Sequence, residues 1–389
     1  MAGRRLIGLL AAALAAVAAA AAEPPPPAPP ADPVAAINTG LSRDAPRALI
    51  QEMRQGGSPQ IHAVVEIIQR VRPDILLITE IDLDPRGVAP KLLAHALRTG
   101  RNGAAGIDYP YSFTAPVNAG VMTGYDLDGD GRRDGPRDAH GEGRFEGQHG
   151  MAILSRHPIG AARTFQTLRW ADTPGHHMPD GRYILGAARD LRLSSTSHWD
   201  VRIKTPGGPL HLLASHPTPP LIDGPGGAAA HRNADEVAFW IAYLDGAAWI
   251  ADDAGGRGGA GPDPVVLLGD LKVDPVDGGG FHEPIMQLLA HPRLQDPQPG
   301  SEGSLAEPDP RQRGDQALHT VMSPRPGALR VDYVLPDVAV AVTGAGVFWP
   351  GPNDPLRRLV GDGDRRVSSE HRLVWADVVL PQAEAAAAP

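Results

Sequence analysis

The sequence predicts an α/β fold in which short buried strands alternate with amphipathic helices, and three observations lead there. Residues 265–268 are four apolar residues in a row, the pattern of a strand buried on both faces, and they stop at Gly269 and Asp270. Between Val34 and Glu80 an apolar strand, a helix with Ile61, Val64, Val65, Ile68 and Val71 on one face, and a second apolar strand succeed one another in a βαβ-like order. Polar residues fall at the C-terminal ends of these strands, where open sheets place their chemistry.

Taken in order, residues 34–381 are the predicted folded domain. Residues 34–37 form a strand ending at Asn38, and Asp44 is placed to cap a helix reaching Met53. Pro73 ends the next helix, and residues 75–78 form the strand that closes on Thr79 and Glu80. Residues 100–147 are rich in Gly and Asp, with little periodicity. Strands are predicted at 150–155 and at 210–214, the latter running into Ser215-His216-Pro217. Asn233 is placed to cap a helix that shows Val237, Trp240, Ile241 and Leu244 on one face. A Gly-rich loop at 252–264 precedes the central strand, and 300–314 reads as polar and mobile. Residues 331–335 place Asp332 inside a strand, and 372–380 form the closing strand, directly after Ser369-Glu370-His371. Tyr109, Tyr111, Trp199 and Trp349 line either a pocket or the core. No internal repeat or second domain boundary is visible.

Composition narrows the function. A hydrophobic content of 42% over 389 residues supports a sizeable core. The net charge of -9 weighs against a long polyanion as principal partner, although a local basic groove or a bound cation overrides global charge. The chain has no cysteine, which excludes a thiolate metal site, a cysteine nucleophile and a lipoprotein anchor. Arg4 and Arg5 precede an apolar, Ala-rich run at 6–22, the layout of a secretory signal peptide. A membrane anchor is the competing reading, but the run is short and proline follows at once. A Pro/Ala linker at 23–33 and a disordered tail at 382–389 flank the domain. The expected location is secreted or periplasmic, with no stable membrane insertion once the signal is cleaved.

No G-x-x-x-x-G-K-[ST], H-E-x-x-H or G-x-S-x-G motif occurs. The repeated feature is a single acid, amide or imidazole at a strand end: Asn38, Glu80, His216, Asp270, Asp332 and His371. Each alone is more often a satisfied structural residue than a catalyst, but six on one architecture are harder to dismiss. Oxygen donors with few imidazoles suit a hard cation such as Mg²⁺ or Mn²⁺. Such a cation beside a His–Asp pair is equipment for phosphoester hydrolysis. Separately, Asp126, Asp128 and Asp130, with Gly131 and Asp134, resemble the opening of a calcium loop. Arg137 stands where the twelfth, acidic position belongs, so a Ca²⁺ site and a solvated acidic loop are both open.

The ordered motifs resemble the endonuclease/exonuclease/phosphatase superfamily, the fold of deoxyribonuclease I and the abasic-site endonucleases, in an exported bacterial branch. They are the Asn38 strand, I-T-E ending at Glu80, G-M-A-I-L-S-R from Gly150, S-H-P at His216, G-D at Asp270, R-V-D-Y-V-L around Asp332 and S-E-H at His371. S-H-W-D at Ser197 and V-F-W-P at Val347 point to the exported branch. The resemblance covers nearly all of 34–380 and implies a four-layer sandwich, two mixed β-sheets face to face with helices on the outer faces. It implies Glu80 as metal ligand, with Asn38 near metal and phosphate and Glu370 as a further acid at the metal. Asp270 would orient or deprotonate the nucleophilic water, Asp332 would hold the tautomer of His371, and His216 would be the second imidazole at phosphorus.

Two positions depart from the family pattern. Lys272 replaces an Asn, and Glu370 replaces an Asp. Lys272 either depresses the basicity of Asp270 or binds phosphate as a point charge. The leading expectation is an exported, divalent-metal-dependent phosphoesterase acting on a small phosphoester or a nucleic acid. The alternative is a catalytically impaired relative that binds a phosphorylated or carbohydrate ligand. A calcium-stabilised surface module without a pocket is a third reading.

Overall fold

The computed structural model describes residues 31–325, 327–362 and 365–381. The expected signal peptide, most of the linker and the expected tail at 382–389 lie outside the described residues. The first strand starts at Asp32, two residues before the predicted domain start, because Asp32 and Pro33 already pair with Val378 and Asp377.

The first half of the domain holds β1 (Asp32–Leu41), α1 (Ala48–Arg54), α2 (Pro59–Val71), β2 (Ile75–Ile81), α3 (Val88–Leu97), β3 (Tyr111–Phe113), β4 (Gly150–Ser155) and β5 (Ile159–Thr164). Then come α4 (Leu185–Asp190), β6 (His198–Thr205), β7 (Gly208–Ser215), α5 (Ala228–Leu244), β8 (Val265–Asp270), α6 (His282–Leu289) and α7 (Glu302–Ala306). The chain closes with β9 (Val321–Met322), β10 (Ala328–Leu329), β11 (Asp332–Pro336), β12 (Ala341–Val347), β13 (Gly361–Asp362), β14 (Arg365–Arg366) and β15 (Val374–Val379).

Two large sheets carry the domain, one of six strands in the order β12-β15-β1-β2-β4-β3 and one of five in the order β11-β8-β7-β6-β5. Both are mixed. Each contains one parallel pair, β1/β2 and β7/β8, and the remaining pairings are antiparallel. A parallel pair requires a crossover; α1 and α2 supply the first and α5 the second. Each crossover therefore delivers two strand ends to the same edge of its sheet.

The pleat sorts side chains between two apolar clusters. Leu212, Ala214, Val266 and Leu268 join the residues of β1, β2 and β4, so they fill the space between the sheets. Their neighbours Leu213, Val265 and Leu267 belong to a second cluster with Val237, Trp240 and Leu244 of α5 and Ile285 and Leu288 of α6. Leu49, Val64 and Leu93 of α1–α3 cover the other sheet. The layers run helix, sheet, sheet, helix, the sandwich that the resemblance implies. Each fully buried aliphatic side chain contributes about 1.5–3 kcal/mol.

Several local expectations are corrected. Asp44 does not cap α1, which starts behind Arg47 in the left-handed region with no side-chain cap. Asn233 lies inside α5, because Ala228, Ala229 and Ala230 extend that helix back to Gly227. The predicted mobile segment contains α7, capped by Ser301 Oγ accepting from Ser304 N at 3.2 Å. The closing strand is Val374–Val379, shorter than 372–380. Tyr109, Trp199 and Trp349 are buried core residues, and Tyr111 lies exposed on the edge strand β3. Among the described residues, no helix is long and apolar enough to cross a membrane.

Candidate active site

The two parallel pairs bring their polar strand ends together across the sandwich. Asp270 ends β8, and its Oδ2 accepts from Asn38 Nδ2 of β1 at 2.8 Å. Lys272 Nζ lies 2.7 Å from the same oxygen, with His216 Nε2 at 3.5 Å and His371 Nε2 at 3.7 Å. Gly269 makes this approach possible: a Cβ there would meet Ser215 O at 2.2 Å. Burial alone would raise the Asp270 carboxyl, but the Lys272 ammonium and the His371 and His216 imidazoles hold it well below the usual carboxylate range.

Asp332 joins because β11 runs antiparallel to β8 with Asp332 opposite Asp270. Its Oδ2 accepts from Thr320 Oγ1 and lies against His371 Nδ1, both at 2.8 Å. Burial opposes protonation of His371, yet Asp332 and Asp270 together raise its pKa above the ordinary value. Asp270, Asp332 and His371 offer ligand atoms within 4.8 Å of one another.

Glu80 sits in a bulge that interrupts both ladders of β2 and has a φ of 56°. The bulge turns its carboxylate out of the pleat, toward β1 and β4. Oε2 accepts from Ser42 Oγ at 3.0 Å and lies 2.6 Å from His149 Nδ1; Oε1 is 3.5 Å from His216 Nε2. Burial pushes the Glu80 carboxyl up, but His149, His216 and Lys272 hold it far below the usual range. Among the described residues, His216 Nδ1 has no hydrogen-bond partner, and Nε2 comes no nearer than 3.5 Å to the Glu80 and Asp270 carboxylates. Lys272 and His149 also have positive φ, so the site holds three of the seven non-Gly residues in that region among the described residues. Such conformations cost about 1–3 kcal/mol each and persist where the surroundings enforce them.

The structure thus gathers Asn38, Glu80, His216, Asp270, Lys272, Asp332 and His371. Glu370 is a correction: its side chain is half-exposed and pairs with Arg366, away from the cluster. Alternate residues of an extended segment point to opposite sides, so the residue beside His371 turns outward. His149, Ser42 and Thr320 have no counterpart among the sequence candidates. Nor has Glu236 of α5, which accepts from Ser195 N, Ser195 Oγ and Thr218 N and so fixes the loop after His216. Asn233 assists by donating to Thr218 O and Leu271 O.

The acidic loop lies apart from this cluster. Asp126, Asp128 and Asp130 each offer an oxygen within 4.8 Å of the others, while Asp134 pairs with Arg132 and stands outside the group. Gly129 N and Gly131 N donate to the Asp126 carboxylate.

A profile of the endonuclease/exonuclease/phosphatase family matches residues 53–371. The chain belongs to that family. The solved structure of a family member from Beutenbergia cavernae is similar over 90% of this chain and 72% of its own, with a TM-score of 0.52 and 18% identity. A family protein from Leptotrichia buccalis aligns over 90% of this chain and 99% of its own, at 14% identity and a TM-score of 0.48. Sphingomyelinase C from Streptomyces griseocarneus does so over 90% and 99%, at 17% and 0.45. At 18% identity the likeness to the Beutenbergia cavernae structure concerns the fold alone. No curated protein matches the chain. Family membership makes the chain a hydrolase of phosphate esters in general, and the acidic and imidazole groups described above can hold a metal.

Proposed function

We propose that the protein is an exported phosphoesterase that uses a divalent cation, Mg²⁺ or Mn²⁺, to hydrolyse a phosphodiester or phosphomonoester by attack of water. The observation that carries this reading is Asp270 Oδ2 ringed by Asn38, Lys272, His216 and His371, with Glu80 alongside. Export rests on Arg4, Arg5 and the apolar run at 6–22.

Two features fit a cation at Glu80 and Asn38. Among the described residues, Glu80 Oε1 accepts no hydrogen bond, and three carboxylates (Glu80, Asp270, Asp332) surround one ammonium. A bound cation supplies charge neutralisation at the phosphoryl and leaving oxygens. Asp270, kept ionised, accepts a hydrogen bond from the attacking water and orients it. Asp332 holds the Nδ1–H tautomer of His371 and leaves Nε2 facing Asp270. His216, whose Nε2 faces the Glu80 and Asp270 carboxylates at 3.5 Å, donates to a phosphoryl oxygen. Lys272 adds a point charge for the phosphate.

One observation favours the second reading, a catalytically impaired ligand-binding protein: the Lys272 ammonium contacts Asp270 at 2.7 Å and reduces its basicity. The deciding assay offers an aryl phosphodiester and an aryl phosphomonoester with Mg²⁺, Mn²⁺, Ca²⁺ or chelator. Turnover with Mg²⁺ or Mn²⁺, abolished by chelator and by Glu80→Gln, is the expected result. Ligand binding without turnover under every condition selects the impaired protein.

Asp126, Asp128 and Asp130 are proposed to bind Ca²⁺. At a hundredfold excess over Kd, mass action adds about 2.7 kcal/mol, read as a Tm higher by a few degrees. Asp128→Asn combined with Asp130→Asn should remove that rise. An unchanged wild-type Tm between saturating Ca²⁺ and chelator leaves only a solvated loop.

A further inference from the structure

A cavity of about 340 Å³ opens beside the cluster, and its wall runs from Glu80, His149 and His216 to Arg232 on α5. That volume lies in the range of sites that enclose small organic ligands.

Arg232 is the unusual group in this wall. It is 8% exposed, and its Nε donates to Leu193 O while Nη2 donates to the carbonyl oxygens of His140 and Arg192. Among the described residues, Nη1 makes no hydrogen bond and no carboxylate oxygen lies within 4.0 Å of the guanidinium. Carbonyl oxygens take the protons of Nε and Nη2, and the buried Glu236 carboxylate offsets part of the charge without touching it, so the Nη1 protons stay open to an anion. Glu236, one turn further along α5, has its carboxylate engaged by Ser195 and Thr218.

Acids also line the cavity: Glu80 lies at the end held by His149 and His216, and depth separates the others from Arg232. Asp128, Glu142 and Asp223 are all exposed at the rim, and the exposed Arg137 and Arg182 stand among them. Water and salt screen exposed charges, while a buried charge is screened much less. The group facing the cavity at this end is therefore a guanidinium with an unbonded Nη1, in a space continuous with His149 and His216.

We propose that this cavity is a substrate subsite for a second anionic group, so that the substrate is a small phosphate ester also bearing a carboxylate or a further phosphate. The second anion pairs with Arg232 while the scissile phosphoryl group lies at His216, His149 and Glu80. This placement rests on the phosphoesterase reading. The anion accepts from Nη1 of Arg232, and the rim arginines draw it in.

The test measures binding of inert phosphonates to the full chain by calorimetry, with Mg²⁺ present and absent. ω-Phosphonoalkanoates and α,ω-bisphosphonates of graded length are compared with alkylphosphonates of matched length. At one chain length the dianionic compounds should bind at least about tenfold more tightly, the scale of one charge-assisted hydrogen bond. Whether carboxylate or phosphonate gives the larger gain identifies the second group. Arg232→Gln, which keeps a donor for a carbonyl but no charge, should erase the advantage. Should that variant fail to fold, Ala229→Asp places a carboxylate on the same wall, one helical turn before Arg232, and should erase it too. Equal affinity at every length, or none measurable, overturns the proposal, as does tighter binding of a single-stranded oligonucleotide. Discrimination without turnover of any aryl phosphate sinks the phosphoesterase reading alone; turnover without discrimination sinks the subsite alone.

Discussion

Asp270→Asn is expected to lower kcat on an aryl phosphodiester by about 10²–10⁴-fold, the range lost with a positioned acid–base group. The amide presents a donor where Asn38 and Lys272 already donate, and it cannot orient water as a carboxylate does. His371→Ala in the same background should cost little more, because Asp270 and His371 act as one unit. Release of the aryl alcohol reads kcat, and far-UV circular dichroism verifies the fold. The same variant carries a signature in acid. Asp270 is held below its ordinary pKa, so it contributes stability that is present above its unfolded value, about 3.9, and lost as pH falls through its lower folded value. Glu80 has the same sign. Asp270→Asn should therefore show a shallower loss of stability below about pH 4 than the wild type. An identical acid limb, or kcat within a few-fold of the wild type, contradicts the assignment of Asp270.

Lys272→Asn is expected to lower kcat/KM by about 10–100-fold, the loss of one charge-assisted contact to an anionic substrate. Without the ammonium, Glu80, Asp270 and Asp332 face the incoming phosphate with no fixed cation among them. The half-saturating concentration of Mg²⁺ should fall at the same time, because the ammonium no longer competes for the field of those carboxylates. Backbone strain does not confuse the result, since Asn tolerates the φ of 62° at this position better than Lys does. Glu370→Asp should change turnover by less than about twofold, as for other half-exposed surface positions, and should add independently to Lys272→Asn. A rise in kcat/KM with Lys272→Asn would make the lysine an erosion of the site and favour the impaired protein.

The site residues legible in the sequence share one property: each ends or begins a strand whose apolar run is plain. Asn38, Glu80, His216 and Asp270 stand after such runs, and the two helical crossovers place all four strand ends on one side of the sandwich. His149 obeys the same rule in reverse. It precedes β4, and because β4 is antiparallel to β2, the start of one lies beside the end of the other. Strand direction is a property of the topology, so the sequence alone does not bring His149 to Glu80. Glu370 shows the opposite case: the resemblance implies an acid at the metal there, but the side chain next to His371 turns outward to Arg366. Arg232, Asn233, Asp235 and Glu236 are four polar residues in an Ala-rich helix, and of these the sequence draws attention to Asn233 alone, as a cap. In the structure all four are buried, because the loops around Leu193 and Thr218 close over that side of α5. The left-handed backbone at Glu80 and Lys272 has no sequence mark, since neither residue type favours it, and the mild preference of His is too weak a signal to single out His149.

The most direct test of the Asp270 centre is hydrolysis of methyl 4-nitrophenyl phosphate in ¹⁸O-labelled water with Mg²⁺, followed by mass spectrometry of the phosphate product. Attack of an oriented water on phosphorus predicts one labelled oxygen in methyl phosphate, none in the nitrophenol, and turnover by Asp270→Asn lower by about 10²–10⁴-fold. Label in the nitrophenol, or equal turnover by wild type and Asp270→Asn, would contradict it.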